Sequence, residues 1–225
     1  MVDWLIKEFK NFGEILVYLA PAIPMTIQIT LVAFAFALFL GLIVGLARIS
    51  HSRYFSIPFR LYVDVIRGIP LLVQIFFIYF GLGKLLNLNQ FVSGVSAVSI
   101  CYSAYLGEII RGGFKAIQKG QFEAAYSLGM TPSQAMRHII LPQTFPVVIP
   151  PIANEFIACL KDSSLVSIIG LRELTRAGRE YYSEYFVAFE TWLIVGLIYL
   201  GMTLLLTHLT RFLERRFRVH GWGVG

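Results

Sequence analysis

The sequence predicts an all-α fold: a polytopic membrane protein with five transmembrane helices, its N-terminus outside and its C-terminus cytoplasmic. Three observations carry this reading. Of the 225 residues, 57% are apolar and 14% charged, whereas soluble domains run at roughly 45–50% and about 25%. Five windows hold no Asp, Glu, Lys or Arg: 15–47, 68–83, 85–107, 138–154 and 191–210. About 20 apolar residues cross the ~30 Å hydrocarbon layer, so the longer windows can span unaided and the shorter two with a few embedded charges. Basic residues gather after alternate spans: Arg48, Arg53 and Arg60; then Arg111, Lys115, Lys119 and Arg137; then Arg211, Arg215, Arg216 and Arg218. One membrane face owns all three groups, and the positive-inside rule makes it cytoplasmic. Arg172, Arg176 and Arg179 fall on the other side and weaken the count. The net charge of +6 thus reports topology and no nucleic-acid partner. The same composition excludes a soluble globular domain and a disordered chain.

Along the chain, residues 2–16 set Val2, Leu5, Ile6, Phe9, Phe12 and Leu16 at helical spacing among charged residues. An interfacial helix over 1–20, on the outer leaflet, fits that pattern. A single transmembrane domain follows over 21–213. Span one, 25–47, starts after Pro21 and Pro24, which suit a first helical turn. A polar loop over 48–57 leads to span two, 58–81, loosened near mid-depth by Gly68-Ile69-Pro70. Span three covers 91–110. The loop 112–141 is too polar to span and too regular to be disordered. Within it, 121–128 reads as a short helix closed by Gly129, and Thr131-Pro132 reads as the N-cap and first residue of the next. Span four, 147–160, carries regularly spaced prolines. The apolar 165–171 is too short to cross and suits a re-entrant segment. Residues 172–187, with Tyr181, Tyr182 and Tyr185, suit a surface helix at the headgroups. Span five covers 189–209, and 214–225 form a basic cytoplasmic tail.

The loop carries the most specific pattern. Glu123-Ala124-Ala125 is followed after three residues by Gly129, after nine more by Ile139, and after one more by Leu141-Pro142. This resembles the EAA---G---------I-LP motif of the membrane subunits of ABC importers. Arg67-Gly68-Ile69-Pro70-Leu71-Leu72-Val73-Gln74, Glu108-Ile109-Ile110-Arg111-Gly112-Gly113 and Lys161-Asp162-Ser163-Ser164-Leu165 are similar to the polar amino acid branch of that family, over roughly 24–211. The resemblance implies a permease of five spans in a bacterial cytoplasmic (inner) membrane. It also implies pairing with a second permease, the same chain or a close relative. Each permease would rest on a separate cytoplasmic ABC ATPase subunit, and an extracytoplasmic binding protein would deliver the amino acid. In that reading Glu123, Ala124, Ala125, Gly129, Ile139, Leu141 and Pro142 form a cytoplasmic coupling helix between spans three and four. Two small alanines would let it sit deep in the ATPase, and the helix dipole favours Glu123 near its N-terminus. The chain has no G-x-x-x-x-G-K-[ST]; ATP and Mg would be bound by the partner ATPase, with no cofactor on this chain and no catalysis by it.

Charged residues inside spans are costly and tend to be functional. Here they are Asp64, Arg67, Glu108, Glu155 and Lys161, with Asp162 at the boundary. Asp64-Val65-Ile66-Arg67-Gly68 and Glu108-Ile109-Ile110-Arg111-Gly112 share an acid-x-x-Arg-Gly pattern, and acid and base three apart can pair. Two self-contained ion pairs, or a cluster contacting substrate, both fit. Were spans two and three straight neighbours, Arg67 would meet Glu108 and Asp64 would meet Arg111. For a zwitterionic amino acid, Lys161 and the helix N-terminus at the start of 164–171 could take the carboxylate, with Ser163 and Ser164 on the path; Asp64 and Glu108 could take the ammonium. Four acids (Asp64, Glu108, Glu155, Asp162) against Arg67 and Lys161 leave a negative path, favouring a basic amino acid; neutral polar ones stay open. Cys101, Cys159 and the four histidines show no metal spacing. Two other classes compete: an autonomous secondary carrier or channel, though no inverted repeat is detectable, and an intramembrane enzyme, though no H-E-x-x-H or G-x-S-x-G occurs.

Overall fold

The computed structural model describes residues 12–50 and 52–217, with side chains to 212, and among these every regular element is helical. Helix α1 runs Phe12–Ile49, tightened into a 3-10 turn at Ala20–Ala22. The expected boundary at 20 is therefore no helix end: Pro21 sits in that turn, and the chain continues helically. The expected interfacial helix lies partly outside the described residues, as do His51, His220 and Arg218; the side chains of Arg215 and Arg216 also lie outside.

Span two, expected as one helix over 58–81, is two. Helix α2 is Arg53–Gly68 and α3 is Leu71–Leu86. Ile69 (φ −108, ψ 130) and Pro70 (φ −57, ψ 138) are extended, since the ring of Pro70 pushes the preceding residue out of the helical region. Helix α3 is π-wound over Phe77–Leu82 and stops at Asn87, in the left-handed region at φ 51. Helix α4, Gln90–Ala116, outruns the expected 91–110. Gly113 stays helical where a Cβ would meet Val148 at 2.1 Å, so this glycine permits close packing instead of ending the helix. Helices α5 (Lys119–Ser127) and α6 (Pro132–Ala135) follow. A π-wound turn, Met136–Ile140, then feeds α7, Leu141–Asp162, which runs through Pro146, Pro150 and Pro151. A 3-10 stretch, Ser163–Ile169, leads to α8, Leu174–Tyr185, and α9, Ala188–Phe217.

Helices α1, α4 and Ala188–Phe212 of α9 are long and apolar enough to cross a membrane, and α2 with α3 make a fourth crossing if they count as one broken span. Helix α7, expected as span four, does not meet that test among the described residues; its prolines, Asn154 and Glu155 dilute its apolar run.

The chain forms two compact units. The first gathers described residues of 1–35, 70–99 and 157–206, the second those of 36–69, 100–156 and 207–225. In the first, Ile15, Leu19 and Ala22 pack with Leu174, Ala177, Tyr181, Ile194 and Val195. Gly178 brings α8 onto α9, with Val195 2.7 Å from where its Cβ would lie. In the second, Val44, Val63 and Ala104 form a core with Phe59, Tyr62 and Ile66 around it. Gly41 and Gly45 lie against Leu106 and Ile110, with hypothetical Cβ contacts of 2.7 and 2.8 Å, and Gly107 lies against Val44. This small-residue approach fixes the register of α1 against α4.

Candidate functional site

Helix α5 is closed at its C-terminus by a Schellman motif. The N–H of Gly129 donates to Tyr126 O at 2.9 Å and the N–H of Met130 to Ala125 O at 3.1 Å, with Gly129 left-handed at φ +76. These two bonds satisfy carbonyls that a helix end leaves orphaned. Two residues on, Thr131 starts α6 with a full capping box: its hydroxyl accepts from the N–H of Gln134, and the Gln134 side chain accepts from the N–H of Thr131 at 2.9 Å. Each orphan donor thereby gains a partner. Gln143 donates to Gln121 Oε1 at 3.2 Å and to Ile139 O at 2.9 Å, tying α5 to α7. The loop is thus rigid on both sides of Gly129.

Ala125, Ala135 and Ile140 are buried beneath α5 and α6. Glu123, Ala124, Tyr126, Ser127 and Leu128 are exposed, Leu128 at 78%. The two alanines thus divide. One residue step turns a helix by about 100°, so Ala125 packs inward and Ala124 alone faces out, where both were expected to. Ile139 and Leu141 are half-buried and Pro142 is exposed. They carry the chain from the π-wound turn into α7.

The charged residues meet the expectation only in part. In the second unit Glu108 takes Arg48 and Arg111 together. Arg111 Nε donates to both Glu108 oxygens at 3.1 Å, and one terminal nitrogen each of Arg48 and Arg111 also reaches the carboxylate. The acid-x-x-Arg pair within α4 is therefore made. That within α2 is not: exposed Asp64 lies 3.8 Å from Arg60, and the Arg67 guanidinium sits 5.0 Å from the Tyr105 ring centre. The cross-hairpin pairs assumed two straight helices, and the break at Ile69-Pro70 removes that premise. Glu155 is half-buried on α7. Tyr102 is buried, in keeping with a packing role.

In the first unit Lys161 is exposed, Asp162 and Ser164 are half-buried, and buried Ser163 donates to Leu160 O at 2.8 Å. Asp162 is itself helical (φ −72, ψ −19). Helix α7 therefore passes straight into the 3-10 stretch, and the free helix N-terminus expected at the start of 164–171 does not form. A group unread in the sequence is Glu173, fully buried as the N-cap of α8. Its carboxyl accepts from the N–H groups of Thr175 and Arg176 at 2.9 and 2.7 Å and from the Tyr199 hydroxyl at 2.9 Å. Burial raises its pKa above the ordinary carboxylate value, against the opposing pull of these hydrogen bonds. An acid directly before a helical run of polar residues was its available signal. On the surface of α8, burial works to raise the pKa of Glu180, but Arg172 and Arg176 prevail and hold it low.

Apolar crossing helices with a rigidly capped surface helix on a polar loop define a helical membrane permease. The chain belongs to the family of binding-protein-dependent transport system inner membrane components, whose profile matches residues 37–219. It is 37% identical over 209 residues to the glutamine transport system permease protein GlnP of Escherichia coli (strain K12), spanning 88% of this chain and 95% of that one. It is 36% identical over 203 residues to the arginine transport system permease protein ArtQ of Bacillus subtilis (strain 168), spanning 89% and 93%. A chain in the crystal structure of an amino acid ABC transporter with histidines superposes with a TM-score of 0.87 at 40% identity, covering 92% of this chain and 98% of that one.

Proposed function

We propose that this chain is the permease subunit of an ABC importer for polar amino acids, and that α5 receives the motion of a separate cytoplasmic ATPase. The observation that carries the coupling role is the exposed face Glu123, Ala124, Tyr126 and Leu128 on a helix closed by a Schellman motif and followed directly by α6 with its capping box. A rigid lever with an unpartnered face can transmit force; a loose loop cannot. In this reading α1, the α2–α3 pair, α4, α7 and α9 make five crossings in a bacterial inner membrane, with the N-terminus outside and α5 inside. The basic residues at and just beyond the C-terminal ends of α1, α4 and α9 support that orientation. Two permeases, the same chain or a relative, form the path, a binding protein delivers the solute, and ATP and Mg are bound by the ATPase.

The relatives' names span glutamine and arginine, which supports the amino acid class without fixing a side chain. Lys161, Asp162, Ser163 and Ser164, at the end of α7 and in the turn after it, supply groups of both signs for an ammonium and a carboxylate, and Glu155, in the second unit, is a separate candidate for the ammonium. Glu108 is held by Arg48 and Arg111, and counting those two arginines brings the candidate path to neutrality. The charge count then gives no preference for basic over neutral polar amino acids, and Asp64 and Arg67 are left as surface contributors. Proteoliposomes holding the chain, an ATPase and a binding protein should accumulate amino acid only with ATP. Accumulation by the chain alone on an ion gradient would establish the secondary carrier instead. Labelling of a cysteine placed at Ala124 from the external side only would overturn the orientation.

A further inference from the structure

We propose that the cleft formed by the end of α1, one face of α2 and the end of α4 binds the phosphate headgroup of an anionic phospholipid. This cavity of about 390 Å³ is lined by Arg48, Ser56, Arg60, Asp64, Arg111 and Lys115. All six belong to the second unit. Four bases face one acid, and with Glu108 beneath Arg48 and Arg111 the site keeps two positive charges. Arg48 and Arg111 are held in place by that carboxylate and are largely buried, at 11% and 20% exposure. A planar guanidinium so anchored keeps further N–H donors for a phosphate oxygen. Arg60 and Lys115 are exposed at the mouth. Arg60 lies 3.8 Å from Asp64, too far for a hydrogen bond, so an incoming anion can recruit it.

Helix α2 tells a lipid from a free anion. At 100° per residue it has three faces. Phe59, Tyr62, Val63 and Ile66 turn into the unit's core. Ser56, Arg60 and Asp64 line the cleft. Tyr54, Ile57, Leu61 and Val65 form a third, exposed apolar stripe beside it. Free phosphate makes no use of such a stripe; an acyl chain lies along it. Arg48 and Lys115 stand in the last turns of α1 and α4, where the apolar runs end and lipid headgroups lie. On the topology proposed above these headgroups are those of the inner leaflet, and only that assignment rests on it.

The test uses the full-length permease purified in neutral detergent, titrated separately with phosphatidylglycerol, phosphatidylcholine and inorganic phosphate, with native mass spectrometry counting bound molecules. Phosphatidylglycerol should be retained over phosphatidylcholine and resist millimolar phosphate. Arg60→Gln/Lys115→Gln should weaken its retention about 30-fold, the two-charge equivalent of the ~1 kcal/mol per basic residue near an anionic surface. Both side chains are exposed, so the thermal midpoint should be unchanged. Equal retention of the two lipids, or of phosphatidylglycerol by wild type and variant, would overturn the proposal. Displacement of the lipid by millimolar phosphate would also overturn it, making the ligand a free anion. Detergent binding requires neither leaflet nor ATPase, so failure of the transport reading leaves this result intact, and the reverse.

Discussion

Substitution of Gly129 tests whether the sharp turn after α5 matters for coupling. Its φ of +76 is left-handed, and a Cβ there would meet nothing within 4 Å. Any cost of a side chain in the free permease is therefore backbone strain alone. That strain is roughly 1–2 kcal/mol for an ordinary L-residue, greater for a β-branched one, and smaller for asparagine, which tolerates the region. A nine-residue helix has little stability of its own, so 1–2 kcal/mol lowers the population of the set turn about 5–30-fold against its open alternatives. In proteoliposomes with ATPase and binding protein, amino acid taken up per ATP hydrolysed should fall in the order Gly129→Asn, Gly129→Ala, Gly129→Val. Asparagine should stay near wild type and valine should be largely uncoupled. Gly129→Asp should also uncouple, through the charge it adds beside the exposed face, while the permease remains folded by thermal melt. Wild-type coupling in Gly129→Val would refute any need for the left-handed turn. Equal failure of asparagine and valine would show that bulk against the partner, and not conformation, is what the glycine avoids.

Leu128→Ala should leave the melting of the free permease unchanged but weaken its affinity for the ATPase about 10–100-fold, since burying a leucine contributes about 1.5–3 kcal/mol; binding of the purified subunits measures this, and unaltered affinity would remove Leu128 from the interface. Glu108→Gln strands two guanidiniums and should cost about 1.5–3 kcal/mol of stability, the worth of hydrogen bonds to a charged group. Asp64→Asn, at an exposed pair, should cost under about 1 kcal/mol; melts of the two variants side by side would expose a reversed order, and uptake of arginine, histidine and glutamine by both would reveal any change of selectivity. For Glu173 the raised pKa means that the folded state keeps its proton to higher pH than the unfolded chain does. Stability from this group is complete below the ordinary carboxylate pKa and is lost as pH climbs through the raised value. Glu173→Gln should flatten that decline in melts taken from pH 4 to pH 8, whereas an unchanged slope would place the titration elsewhere.

How much of this was legible in the sequence follows from the reach of each interaction. Gly129, Thr131, Pro132 and Gln134 were readable as caps because each partner lies within five residues, and local hydrogen bonds are a property of local sequence. Helices α1, α4 and α9 were readable from the charge-free windows 15–47, 85–107 and 191–210, because apolar length is also a local property, whereas the window 138–154 falls mainly on α7, which among the described residues does not meet the crossing test. Arg48 and Glu108 lie 60 residues apart, and no local rule joins them. The available signal was Gly41-Leu42-Ile43-Val44-Gly45, a small-xxx-small pair that lets two helices approach closely. Gly41 meets Leu106 and Gly45 meets Ile110, a constant offset that carries Arg48 to just beyond Arg111. Its long side chain then reaches back about one turn to Glu108. The depth count across the outer turn rested on a straight helix, whereas Pro70 forces Ile69 extended; Asp64 and Arg111 still line one cleft, but the ion pairs formed are Arg60 with Asp64 and Arg48 and Arg111 with Glu108. Glu108, a candidate for the solute's ammonium, thereby fastens α1 to α4. A carboxylate that joins two helices at their common end would have to loosen that joint to hand its arginines to each passing substrate, so we propose that the solute is met first by Lys161, Asp162, Ser163 and Ser164 of the first unit.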